Sequence, residues 1–182
     1  MSKNDICHVL ILEDMDEDIE LVKRVTKKTL PEAVFNVART REEFLQKIQW
    51  VVPQVILSDY NLPDYNGLEA LTHVHATHPH IPFIFVTGAL NNDKKVADAI
   101  FSGAAAYVLK DELSKLKEIL PAVMKTSREK FEREEEDRQR VRQAKMKLQK
   151  AVALLEKSDL ADDNKADLVN ILKEVQGNLT TS

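Results

Sequence analysis

Five short apolar runs are spread through the first two-thirds of the chain: Ile6–Leu12, Val34–Val37, Val55–Ser58, Phe83–Val86 and Ala106–Leu109. Each has the length of a buried strand. Between them lie segments with helical signals. Ile19, Val22 and Val25 share one face of a predicted helix over residues 16–29. Thr40 and Glu43 form a capping-box pattern ahead of a helix over 41–49, and Asn66 with Glu69 repeats it ahead of one from Gly67 to about Thr77. A further helix is predicted over 92–102, with Gly103 where a C-cap glycine stands. Strand and helix alternate five times, which predicts a parallel sheet covered on both faces.

A parallel sheet brings the carboxyl ends of its strands to one edge, and that is where open α/β sheets bind ligands. Four of the five runs end there in a reactive or polar side chain: Glu13-Asp14, Asp59, Thr87 and Lys110. Clustered carboxylates repel one another unless a cation sits among them. Mg²⁺ suits such oxygen donors, together with water and phosphate oxygens. A carboxylate can also attack phosphorus and form an aspartyl phosphate. The metal and Lys110 would then offset charge on the transferred group, and Thr87 could donate a hydrogen bond to one of its oxygens. The chain has no Gly-rich phosphate loop, so no nucleotide is expected in the site. Its 26 basic and 30 acidic residues, net −4, argue against non-specific nucleic-acid binding. A single cysteine, Cys7, excludes an intrachain disulfide and fits a reducing cytosol. No apolar run approaches the ~18 residues of a membrane span, so the expectation is a soluble, cytoplasmic protein without membrane contact.

The acid pair Glu13-Asp14, the block Asp59-x-x-Leu62-Pro63-x-x-Asn66-Gly67, then Thr87-Gly88-Ala89, Tyr107 and Lys110 together resemble the receiver domain of bacterial two-component response regulators, over residues 5 to about 122. The resemblance implies a doubly wound, five-stranded parallel sheet in order 2-1-3-4-5. It implies that Asp59 is the phosphoacceptor, and that Glu13, Asp14, Asp59 and the backbone carbonyl of Asn61 hold Mg²⁺. Thr87 and Tyr107 are implied as the switch pair and Lys110 as the phosphate-binding lysine. The implied partner is a sensor histidine kinase or a histidine phosphotransfer protein. The expected role is a signalling switch, not an enzyme. One departure stands out: the family usually has proline after the lysine, and here Asp111 follows Lys110. Asp111 is predicted to cap the next helix.

Other motifs are less telling. Asp14-x-Asp16-x-Asp18 resembles the start of a calcium loop, but Ile19 and Val25 occupy the sixth and twelfth places where Gly and Glu are needed. His73, His75, His78 and His80 read as a solvated helix end and loop. Trp50 is expected to pack at the end of the second helix. A rival class is a haloacid-dehalogenase-type phosphatase with Asp14 as nucleophile, which leaves the block around Asp59 unexplained. The chain could also be the receiver part of a longer multidomain regulator.

The receiver is expected to occupy residues 1–122 and a helical extension 123–182. From Glu112 to Lys157 there is no glycine, and Pro121 is the only proline. Glu129–Arg133, Glu134–Arg138 and Glu136–Arg140 have the spacing of supportive helical pairs. Val141, Leu148, Val152 and Leu155 recur with heptad-like spacing. Residues 158–164 form a polar break, and a terminal helix is predicted over 165–179. All five histidines lie before residue 81, so the extension is no phospho-histidine bundle, and it lacks the charge and length of a usual DNA-binding output. Its apolar stripe predicts a homodimer through the tail, with a monomeric helical hairpin as the alternative.

Overall fold

A computed structural model describes residues 6–63, 65–88, 99–157 and 162–178. Five strands, β1 (Cys7–Leu12), β2 (Ala33–Ala38), β3 (Val55–Ser58), β4 (Phe83–Thr87) and β5 (Ala106–Leu109), form one parallel sheet in the order β2-β1-β3-β4-β5. The helices are α1 (Asp16–Thr29), α2 (Arg41–Val51), α3 (Gly67–Thr77), α4 (Leu116–Glu156) and α5 (Asp162–Asn178). A 3₁₀ turn, Lys110–Lys115, separates β5 from α4.

Alternation along the strands builds two cores. Val9, Ile11, Val55, Leu57, Ile84 and Val86 pack with Ile19 and Val22 of α1 and with Leu116 and Leu120 of α4. Leu10, Leu12, Ile56, Phe83 and Phe85 pack on the opposite face with Phe44 and Ile48 of α2 and with Leu71 and Val74 of α3. Each such side chain, once fully buried, contributes ~1.5–3 kcal/mol of transfer free energy. Both faces are covered, so nearly every position in the central strands is apolar.

The helix starts follow their caps. Thr40 Oγ1 accepts from the Glu43 N–H at 3.2 Å, while the Glu43 carboxylate accepts from the Arg39 N–H at 3.1 Å. Asn66 Oδ1 accepts from the Leu68 N–H at 2.9 Å. Gly67 is required by packing as well as by the turn. A Cβ there would lie 2.5 Å from the Asp59 carbonyl oxygen and 2.8 Å from the Phe85 ring. Gly103 has φ +90°, and its open face is filled by the His75 ring.

Two expectations change. Asp111 is not a helix cap: the 3₁₀ turn starts directly after β5, with Leu109 at the cap position and no side-chain bond there. Trp50 is 81% exposed because it lies on the solvent side of α2, whose inner face is Phe44 and Ile48. Of the helix predicted over 92–102, residues 92–98 lie outside the described residues, and 99–101 are helical. Among the described residues no peptide bond is cis, so Lys110–Asp111 is trans.

The chain divides into two compact units, Met1–Lys130 and Phe131–Ser182. In the second, Val141, Leu148, Val152 and Leu155 are half-buried, as are Val169 and Leu172, whereas Met146, Leu154, Leu168, Ile171 and Val175 are exposed. Arg140 pairs with Glu136 at 4.0 Å, as the spacing predicts, and Arg138 bonds Glu135 at 3.0 Å. Pro121 lies inside α4 without ending it.

Candidate phosphoacceptor site

The site is assembled at the carboxyl edge of the sheet. The register pairs Leu12 with Ser58, which puts Glu13 and Asp59 side by side just past β1 and β3. The Asp59 N–H donates to Leu12 O at 2.9 Å, and the Glu13 N–H donates to Ala38 O at 3.0 Å, so both backbones are pinned. Asp59 Oδ1 accepts from the N–H groups of Tyr60 at 2.6 Å and Asn61 at 3.3 Å. Glu13 Oε1 accepts from those of Asp14 and Met15, each at 3.1 Å.

Lys110 arrives from the end of β5. Its Nζ lies 2.7 Å from Glu13 Oε2, 3.0 Å from Asp59 Oδ2 and 2.6 Å from Asp18 Oδ2. Burial works against the ammonium charge. The hydrogen bonds that Nζ donates to Asp18, Glu13 and Asp59 outweigh this and hold Lys110 protonated far above the ordinary lysine range. Glu13 is 2% exposed. Burial pushes its carboxyl up, against the opposing pull of Lys110 and the Met15 N–H.

Asp14 is half-buried, and its carboxylate makes no ion pair among the described residues. Thr87 is fully buried at the end of β4, and its Oγ1 has no hydrogen-bond partner among the described residues. The Tyr107 hydroxyl is likewise buried and unpartnered. Burial, with the Asp59 charge adding to it, raises its pKa to about 12. Buried hydroxyls are normally paired. Two orphans beside one acidic cluster leave donors free for an oxygen-rich guest.

The structure thus brings Glu13, Asp59 and Lys110 into direct contact and sets Thr87 and Tyr107 on the two neighbouring strands. Asp18 was missed. It is the third acid of Asp14-x-Asp16-x-Asp18, a run that stands out in the sequence, but its place in the first turn of α1 has an ordinary explanation in the helix dipole. Only the tertiary contact shows its role.

The donors suit Mg²⁺ by their chemistry. Glu13, Asp18 and Asp59 bring three carboxylates to one ammonium, which leaves surplus negative charge on hard oxygens. Among the described residues no three His, Cys, Asp or Glu stand in a ready metal-binding arrangement, because Lys110 sits between the acids.

A five-stranded parallel sheet in this order, with acids at its carboxyl edge, defines a CheY-like receiver fold. Residues 9–123 match the response regulator receiver domain family, and the chain belongs to that family. The fold is similar to a CheY-like receiver domain protein from Methanospirillum hungatei, at 24% identity and a TM-score of 0.62 over 69% of this chain and 99% of that one. It is also similar to the Mn²⁺-bound response regulator Rcp1, at 24% identity and a TM-score of 0.52 over 62% of this chain and 91% of that one. In sequence, 75 residues are 32% identical to the regulatory protein LuxO of Vibrio vulnificus; they make up 41% of this chain and 16% of LuxO. Receiver domains of this family are generally signalling switches. They bind Mg²⁺ and interact with histidine kinases or phosphotransfer proteins. Among the described residues no helix is long and apolar enough to cross a membrane.

Proposed function

We propose that Asp59 accepts a phosphoryl group from a histidine kinase or a histidine phosphotransfer protein, and that the chain signals through protein contacts. The observation that carries this reading is the Lys110 ammonium 3.0 Å from Asp59 Oδ2, at the sheet edge where the loop ending in Gly67 closes against Asp59. In the transfer, a carboxylate oxygen of Asp59 forms the new O–P bond as the donor's bond to phosphorus breaks. The departing group keeps the electron pair. Lys110 stabilises the added negative charge, and Thr87 supplies its unpaired hydroxyl to a phosphoryl oxygen. Mg²⁺, held by Glu13, Asp14, Asp59 and the Asn61 carbonyl, would supply charge neutralisation at the phosphoryl oxygens. Lys110 bonds Asp59 and not Asp14, which favours Asp59 over Asp14 as the nucleophile.

Thr87 and Tyr107 form the switch in this reading. Thr87 moves toward the phosphoryl group, and the Tyr107 ring turns into the space it leaves. The receiver occupies residues 1–122 and the helical extension 123–182. The protein is a cytoplasmic switch without turnover of a separate substrate. It takes no nucleotide, nucleic acid or membrane as partner. The extension self-associates through the stripe Val141, Leu148, Val152 and Leu155, which is half-buried in this chain. The stretch shared with LuxO is a small part of that protein, so a regulator longer than this chain remains compatible with the same switch.

The reading is tested by incubating the chain with Mg²⁺ and a small acyl phosphate. Asp59→Asn should abolish labelling, and Asp14→Ala should raise the Mg²⁺ concentration needed. Normal labelling of Asp14→Ala at low Mg²⁺ removes the metal assignment. Light scattering on the full chain and on a version ending near Lys125 tests the tail. A monomer mass for the full chain at tens of micromolar removes the dimer.

A further inference from the structure

Lys110 has a partner that stands outside the proposed metal ligands. Asp18 Oδ2 lies 2.6 Å from Nζ, closer than Glu13 at 2.7 Å and Asp59 at 3.0 Å. Asp18 belongs to α1, so a helix side chain reaches the lysine that follows β5. An ammonium has three N–H donors. Glu13, Asp18 and Asp59 take one each, and none is left for a phosphoryl oxygen.

One of the three must therefore release when a phosphoryl group arrives. The Glu13 side chain is 3% exposed and its other oxygen is fixed by two N–H groups. Freeing it would strand a buried acid, which is costly. Asp59 carries the incoming group itself. The Asp18 side chain is 30% exposed and can turn to water at the lowest cost. Its charge also adds to the repulsion that a phosphoryl dianion meets among the neighbouring carboxylates.

We propose that Asp18 is a positioning residue that tethers Lys110 in the unphosphorylated state and competes with the phosphoryl group for its third N–H, so that it sets how readily the site is charged. The inference rests on Asp59 being the acceptor. It implies that the departure of Asp18 from Lys110 is coupled to phosphorylation and is felt at the first turn of α1, on the side of the sheet opposite α2 and α3.

The test uses the full chain. Asp18→Asn keeps the size of the side chain and removes its charge, and Asp18→Ala removes the acceptor as well. With acetyl phosphate and Mg²⁺, both variants should label about fivefold faster than the native chain, the factor expected for losing one partly exposed charged contact. A purely structural role would slow labelling or leave it alone. Without donor or Mg²⁺, the Lys110 side-chain NMR resonance should move in both variants. Equal or slower labelling in both variants overturns the competition. A Lys110 resonance unmoved by either substitution overturns the tether. Asp59→Asn labelling as fast as the native chain would instead remove the acceptor reading, and the competition with it, while the resonance still reports the tether by itself.

Discussion

The sheet of the first unit and the helices of the second are both patterned by apolar periodicity, with different outcomes. Val9, Ile56 and Phe85 are 0% exposed, because each strand face meets a helix layer from the same chain. Leu154 is 62% exposed and Ile171 55%, while the heptad-spaced Val141, Leu148, Val152 and Leu155 reach only partial burial. A strand run between two helix layers is completed by its own domain. A stripe on a helix is completed only by another helix surface. The difference teaches that the same kind of sequence signal specifies a finished core in one unit and an unfinished surface in the other.

The sharpest way to break that comparison is by deletion. Phe85→Ala should cost ~3–5 kcal/mol in chemical denaturation of the receiver, because it leaves a cavity among Tyr60, Phe83 and α3. Leu154→Ala should change stability by no more than ~0.5 kcal/mol. Equal costs would mean that the two units are buried alike. A smaller effect, ~1–3 kcal/mol, is expected for Gly67→Ala, whose Cβ would lie 2.5 Å from the Asp59 carbonyl. That variant should also label more slowly, since relief of the clash must move α3 or the Asp59 backbone. Normal stability and normal labelling would show that the close approach is not needed.

Thr87→Val tests the orphaned hydroxyl. With no partner to lose among the described residues, the unphosphorylated protein should gain up to ~1 kcal/mol, read as a higher melting temperature. The same variant should lose the chemical-shift changes in β4 and β5 that an acyl-phosphate mimic induces in the native chain. A large loss of stability would mean that Thr87 is already bonded in the resting state. The smallest effect concerns Tyr107. Its folded pKa is raised to about 12 by burial. The stability it contributes is therefore complete below the unfolded value near ~10 and is lost as pH rises toward about 12. Ultraviolet titration should show a tyrosine component near that pH which Tyr107→Phe removes. A Tyr107 component near ~10 would show an exposed hydroxyl.

Much of the receiver was readable because its signals are local. The five strands and the ends of β5 and α1 came from apolar runs stopped by Lys110 and from the spacing of Ile19 and Val22, whereas the strand order came only from the resemblance to receiver domains. Asp111 misled because an acid after a strand looks like a cap, and the chain forms a 3₁₀ turn there instead. Trp50 misled because large aromatics are usually buried, yet its place on α2 is set by the neighbouring core residues Phe44 and Ile48. Asp18 could not be read at all from strand ends. Its contact joins α1 to the residue after β5, a pairing across 92 positions that no local pattern records.

The central claim is that Asp59 is the phosphoacceptor. It is tested most directly by labelling the full chain with acetyl phosphate and Mg²⁺, reducing the acyl phosphate with borohydride, and mapping the product by mass spectrometry. The account predicts homoserine at position 59, none at 14 or 18, and no 5-hydroxynorvaline at Glu13. Homoserine at position 14, or undiminished labelling of Asp59→Asn, would contradict it.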